Sequence, residues 1–459
     1  MAARVSLENG QLRRNVRHAT DVIQAKRSVV VGEMPDWQDL REAGRQIRAH
    51  TMDYLGHYLQ EFERNCVAAG GRVHWARDAG EAREIVVRLA LDAGAEEVIK
   101  IKSMTTEEIQ LNSALEGAGI RAIETDLAEL IIQLGEDQPS HIVVPALHKN
   151  RAEIRAIFKE KMGLPELGDQ PADLAEAARV YLRKKFLTVK TAVSGANFLI
   201  AETGGVCVVE SEGNGRMCLT LPETLITIAG VDKVIPKFQD LEVLLQLLPR
   251  SATGERMNPY NSIWTGVHEG DGPGAFHVVL LDNARTEILH DGEARQTLYC
   301  IRCGACQNAC PVYRQTGGHA YGSVYAGPIG AILTPQLQRM EHAQSLPYAS
   351  SLCGACYEVC PVKINIPEVL IHLRGKVVEG YSRLNPEVLA MKVVGRIFRN
   401  ERLFRAAQRF GRAAERPLVN KEGWIDWLPG MFGGWTKARD LKEMPKETFR
   451  EWWEKRDGK

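Results

Sequence analysis

YCIRCGACQNACP, Tyr299 to Pro311, and SLCGACYEVCP, Ser351 to Pro361, decide the reading of this chain. Seven of its ten cysteines lie in these runs: Cys300, Cys303, Cys306 and Cys310, then Cys353, Cys356 and Cys360. The first has the C-x2-C-x2-C-x3-C-P spacing by which bacterial ferredoxins hold cubane iron–sulfur clusters. Three thiolates at such intervals fold around one cluster, and the x3 step with its proline sends the fourth toward another. The second run supplies the mates. Cys353 and Cys356 join Cys310, while Cys360 crosses back to Cys300, Cys303 and Cys306. Paired C-x2-C motifs also occur in zinc sites, and clustered cysteines also build disulfide frameworks. Zinc knuckles rarely carry two C-x3-C-P endings, and a long chain with no export signal argues against disulfides. The expectation is a protein that moves electrons through two [4Fe–4S] clusters.

One ligand is missing. Ser350 and Cys353 align with Cys300 and Cys303, so a serine stands where the second run needs a fourth cysteine. A hydroxyl ionises far less readily than a thiol. The cluster of Cys310, Cys353 and Cys356 is thus expected to have an open or weakly held fourth iron, and to become [3Fe–4S] when oxidised. The neighbouring Ser351 reads as a turn residue.

The rest of the composition is that of a globular protein, with 459 residues, 25% of them charged and 44% hydrophobic. That length suggests two to four units. The start, MAARVSLENGQLRRN, has no long apolar stretch, so no signal peptide is expected. No run approaches a membrane span, which leaves a cytoplasmic protein reaching any membrane through partners or peripheral docking. Net charge is zero, but residues 376–459 carry +7 and the remainder −7. The basic tail also holds Trp424, Trp427, Trp435, Trp452 and Trp453. It suits an acidic partner or an anionic membrane face, or a solvated helical extension. Its basic residues come without a nucleic-acid-binding motif.

Asp36 is expected to cap an amphipathic helix carrying Trp37, Leu40, Ile47, Tyr54, Leu55, Leu59 and Phe62. Strands near 72–75, 97–101, 121–124 and 141–144 then alternate with helices, as in an α/β layered domain with parallel strands. Helices near 150–162 and 172–186 precede β-rich segments at 187–193, 206–210, 217–221, 225–229 and 277–281. Residues 249–273 read as a long loop. There is no P-loop, and Gly117-x-Gly119-x-x-Ala122 runs from helix to strand, the reverse of the dinucleotide fingerprint. Lys100, Lys102 and Ser103 follow a strand end, where ligands bind in open α/β sheets, although solvated charges explain them equally. Ile200–Val206 sets Glu202 and Thr203 beside Gly204 and Gly205. These glycines permit close approach by a ligand, or simply make a tight turn. His148–Lys149 and Glu107–Glu108 are weaker candidates. His319 and Tyr321, between glycines, either order the loop between the runs or act on a cluster or partner. Cys66, Cys207 and Cys218 lie outside the motifs, the last two as core residues.

Taken together, KIKSMTTEEIQLN (100–112), IETDLAELI (123–131), IAETGGVCVVESEGNGR (200–216), the two cysteine runs, TGGHAYGSVYAGPIGAILTP (316–335) and the Trp-rich tail resemble a known family. It is the iron–sulfur B subunit of the bacterial L-lactate utilization system, and the likeness runs nearly the full length. The resemblance implies a helical segment over 1–70 and an α/β lactate-utilization domain over 71–292, of the layered sugar-isomerase and CoA-transferase-like kind. A mainly helical dicluster ferredoxin-type domain over 293–375 and a helical extension over 376–459 would follow. It also implies a part in oxidising L-lactate to pyruvate for growth, with a cysteine-rich subunit and a smaller α/β-domain subunit as partners. The two [4Fe–4S] clusters would be held by Cys300, Cys303, Cys306 and Cys360, and by Cys310, Cys353 and Cys356. No flavin fingerprint accompanies them, so the chain reads as the electron-transfer subunit of a lactate dehydrogenase-type complex, its catalytic residues unassigned. A catalytic subunit using an open-ligand cluster on another substrate, and a redox-sensing scaffold, are the alternatives.

Overall fold

Short apolar runs separated by helices give the strands β1 (Arg72–Ala76), β2 (Glu97–Lys100), β3 (Arg121–Glu124), β4 (Thr191–Ser194) and β5 (Phe198–Ile200). Then come β6 (Gly205–Glu210), β7 (Thr224–Gly230), β8 (Val234–Ile235), β9 (Tyr260–Trp264) and β10 (Ala275–Leu281). The structure, a computed structural model, describes residues 2–382, 384–437 and 439–457. Met1 of the expected N-terminal segment and Arg383, Ala438, Gly458 and Lys459 of the expected extension therefore lie outside the described residues. Six strands form one sheet in the order β1-β10-β7-β4-β2-β3, every neighbour parallel. Its central strands are buried on both faces, as a helix-covered parallel sheet requires. A second sheet, β8-β5-β6-β9, is mostly antiparallel.

From β2 the chain moves outward to β3, whereas from β4 it moves the other way to β7. The reversal makes the carboxyl ends of β2 and β4 a topological switch point, where open sheets leave a crevice. Around the sheet lie an N-terminal helical layer (Gly10–Gly32, Trp37–Asp53, Leu55–Ala68) and the cysteine-bearing segment. These parts share one hydrophobic core that includes Phe62, Leu199, Leu225, Ile301, Ile332 and Leu370. The chain divides into a unit over 1–377 and another over 378–459. The second unit has helices Pro386–Phe398, Glu401–Glu415 and Phe449–Asp457 and a small antiparallel pair, β11 (Trp424–Ile425) with β12 (Leu441–Lys442). Trp427 and Trp435 are exposed in it. Among the described residues no helix is long and apolar enough to cross a membrane.

Four expectations are corrected. Residues 141–144 form no strand, because His141 Nδ1 accepts the Val143 and Val144 N–H groups that a ladder would use (3.0 Å each). Residues 217–221 fall in and just after a helix, Asn214–Thr220. Its first turn is satisfied by the Glu210 carboxylate, which accepts from the Gly213, Gly215 and Arg216 N–H groups. Cys218 is therefore a buried helical residue rather than a strand residue. The long loop over 249–273 contains β9, paired antiparallel with β6. Asp36 precedes its helix without a side-chain capping bond, and the helix breaks at Tyr54.

Candidate functional site

The two cysteine runs repeat one backbone path. Arg302 and Leu352 take left-handed φ values of 61° and 54°, and Gly304 and Gly354 follow at 73° and 84°. Each run then enters a short helix, Ala305–Ala309 or Ala355–Val359. Only glycine adopts such φ without steric cost, so Arg302 and Leu352 hold a conformation the surroundings must impose. Within this shared path the Arg302 N–H donates to Cys300 Sγ (3.4 Å) and the Leu352 N–H to Ser350 Oγ (3.1 Å). Ser350 occupies the place of Cys300 down to its hydrogen bond.

The thiols fall into two groups that cut across the runs. Cys300, Cys303, Cys306 and Cys360 line one cavity, walled by Ile301, Ile329, Val362, Ile364 and Ile366. The Ile364 N–H donates to Cys360 Sγ (3.3 Å). Burial pushes the Cys303 and Cys306 thiols up, and the charges of Cys300 and Cys360 add to it. In the other group burial again raises Cys310 and Cys356, with Cys353 acting on both. Cys353 itself is exposed, and the Ala355 N–H and then the Ser351 hydroxyl hold its thiol below the usual range. Ser351 is thus more than a turn residue. The buried Tyr321 hydroxyl lies beside Cys310, while His319 Nε2 is held at the Gln138 carbonyl (2.8 Å). Soft sulfurs that oppose one another's ionisation, backed by N–H donors and aliphatic walls, fit the needs of an iron–sulfur cluster.

Arginines of the N-terminal helices hold these loops by their carbonyls. Arg27 donates to Val359 O (3.1 Å). Arg41 donates to Cys360 O (2.9 Å) and Tyr357 O (3.0 Å). The buried Arg48 donates to Val234 O and Leu298 O (2.9 Å each), to Tyr299 O (3.3 Å) and to Asp232 O. Sequence reasoning missed all three. The available signal was an arginine recurring on the apolar face of a helix, beside Trp37 and Gly44. A second tie is His141, whose Nε2 lies 3.0 Å from Asn308 Oδ1, and which burial pushes down to about 4.

Beside the first thiol group lies a cavity of about 220 Å³ at the switch point. Lys102 and Ser103 from beyond β2, Asn197 from beyond β4, Lys233 from beyond β7, and Arg302 and Tyr325 from the cysteine-bearing segment line it. Burial pushes Lys233 down to about 7. Arg302 lies over the Tyr325 ring at 5.1 Å. Tyr325 donates to Glu108 (2.7 Å), which also pairs with Arg285 (2.8 Å), and Arg285 pairs with Asp232 (2.6 Å). Glu108 is therefore the hub that ties the sheet to the loop between the cysteine runs.

Other candidates are absorbed by packing. Lys100 is buried against Glu124 (2.7 Å) and Glu107 (2.9 Å). Burial opposes its charge, but the two carboxylates outweigh that and raise its pKa. Gly204 turns at φ 66°, and a Cβ there would meet Cys66 N at 2.2 Å, so the close approach is to a helix of the same chain. Glu202 accepts from the Phe238 N–H (2.9 Å). His148 lies 3.0 Å from Asp137, which Lys149 also pairs.

Residues 59–281 match the LUD domain family, residues 296–364 the 4Fe-4S dicluster domain, and residues 372–458 the C-terminal domain of lactate utilisation protein B. A lactate utilization protein B of Oceanobacillus iheyensis is 42% identical, over 98% of this chain and 94% of its own. That of Bacillus licheniformis is 42% identical over 98% and 95%. That of Geobacillus kaustophilus is 43% identical over 99% and 96%. A solved structure, the DUF162 family protein of Deinococcus radiodurans, aligns with 50% of this chain and 98% of its own. Its 11% identity and TM-score of 0.28 are too low for a statement about fold. With three domain families in order and such identity over nearly the whole length, the chain belongs to the lactate utilization protein B family.

Proposed function

We propose that this chain works in lactate utilization as the electron-transfer iron–sulfur subunit of a system that oxidises L-lactate to pyruvate. Cys300, Cys303, Cys306 and Cys360 would hold one [4Fe–4S] cluster, and Cys310, Cys353 and Cys356 the other. The observation that carries this reading is the gathering of Cys360 with three thiols of the other run around one aliphatic cavity. Bound clusters of this kind accept and release single electrons. The chain's residues supply everything else. N–H donors at Arg302 and Ile364 stabilise sulfur charge, isoleucines and valine exclude water from the first group, and the arginine clamps fix the loops. The exposed Cys353 leaves the second group the one open to a partner.

A cysteine-rich subunit and a smaller α/β-domain subunit are the partners this reading requires. The basic extension is a docking element for them or for an anionic membrane face. The test is the visible absorbance of anaerobically purified protein. Alone, with about seven to eight irons per chain, it should not bleach with L-lactate, and adding both partners should cause bleaching. Turnover by the isolated chain would refute a pure relay.

A further inference from the structure

Two cationic side chains at the switch-point cavity carry N–H groups left without a hydrogen-bond partner among the described residues. Lys233 is 8% exposed and makes no hydrogen bond or ion pair among the described residues, and it faces the cavity. The Arg302 side chain is also 8% exposed; its Nη2 pairs with Asp232 (3.5 Å), while its Nη1 is buried without a partner among the described residues. Burying an unpaired ammonium is costly, so a fold that keeps Lys233 at this cavity beside a free guanidinium N–H of Arg302 has a use for them.

The acids on the same walls are already occupied. Glu210 accepts three backbone N–H groups, Glu212 accepts from the Leu127 N–H (3.1 Å), and Asp126 caps Ala128 and Glu129. Lys102 is likewise engaged, by Val143 O (3.1 Å) and Glu129 (3.8 Å). What remains free is Lys233, Arg302 Nη1 and the Asn197 amide N–H₂, whose oxygen alone is used by the Val209 N–H (2.9 Å). Leu248 and Val208 add an apolar wall.

We propose that this cavity binds a small 2-hydroxy- or 2-oxo-monocarboxylate, its carboxylate taken by Lys233 and Arg302 and its 2-oxygen by Asn197. The apolar wall receives the short alkyl end, and about 220 Å³ leaves room for a three-carbon acid rather than a nucleotide. The choice of L-lactate and pyruvate as ligands rests on the proposed function. The same residue that faces the acid, Arg302, donates its main-chain N–H to Cys300, which sets the acid site next to the first thiol group.

Binding needs no electron acceptor, so anaerobic holoprotein is titrated calorimetrically with pyruvate, L-lactate, propionate and inorganic phosphate. Pyruvate and lactate should saturate one site. Propionate, lacking the 2-oxygen, and phosphate should bind at least about tenfold more weakly. Lys233→Met should weaken pyruvate binding at least about tenfold and Lys233→Arg should restore most of it, while Lys190→Gln on the exposed surface changes nothing. Should Lys233→Met fail to fold, protection of Lys233 from reductive methylation by pyruvate in the native protein decides instead. No saturable binding, tightest binding of phosphate, unchanged binding in Lys233→Met, or no protection would overturn the site. If binding is absent while lactate still bleaches the assembled system, the site fails and the electron-transfer reading stands. Lys233-dependent binding without any bleaching upholds the site and overturns that reading.

Discussion

At Ser350 one atom separates a hydroxyl from the thiol that stands at the matching place of the first run. Its hydroxyl receives the same N–H that a thiol receives in the first run. A neutral hydroxyl binds iron far less well than a thiolate. Mild oxidation should therefore give a three-iron signal by electron paramagnetic resonance from the group of Cys310, Cys353 and Cys356. Ser350→Cys should suppress that signal and lower the potential, since an added negative ligand disfavours an added electron. No three-iron species in the native protein, and no change in the variant, would mean another firm ligand. Arg41 makes a different kind of contribution. Its loss removes the charged donor from the Cys360 and Tyr357 carbonyls, leaving each with one backbone N–H, from Lys363 and Cys360 (3.2 Å each). Arg41→Met should cost about 2–4 kcal/mol in urea unfolding and lower iron content, and unchanged stability and iron would refute the clamp.

At the scale of elements, the first and last strands of the chain's parallel sheet meet through histidines. His74 Nε2 lies 3.0 Å from His277 Nδ1 across β1 and β10. Burial pushes His277 down to about 4, and His74 and Arg72 add to it. An unfolded histidine titrates near pH 6.5, so between about 6.5 and 4 the unfolded chain binds a proton that the folded one refuses. Stability should be intact above that window and fall as pH drops through it. His277→Gln should flatten the decline measured from urea midpoints, and an equal decline in both proteins would contradict this. The central strands and the cysteine runs were legible from the sequence, because apolar runs and fixed thiol spacing are local signals. Residues 141–144 misled because a side chain, His141, takes the N–H groups of an apolar run. Asn214–Thr220 misled because its first turn is satisfied by Glu210, a residue of the preceding strand. The cavity was half legible. Lys102 and Ser103 were flagged by their strand end, but Lys233 and Arg302 meet there only through the sheet order and the docking of the cysteine-bearing segment.

Across the whole molecule, helices from one end of the chain clamp loops from the other, so the cysteine segment and the sheet share one core. Electron flow from lactate should accordingly need the full chain together with both partners, which lactate bleaching of the clusters measures. The most direct test of the central claim is Cys360→Ser, examined by electron paramagnetic resonance and iron analysis of anaerobic protein. Division of the thiols across the runs predicts damage to the cluster of Cys300, Cys303 and Cys306, with the signal of the Cys310, Cys353 and Cys356 group intact. Damage confined to the cluster that contains Cys353 and Cys356 would contradict it.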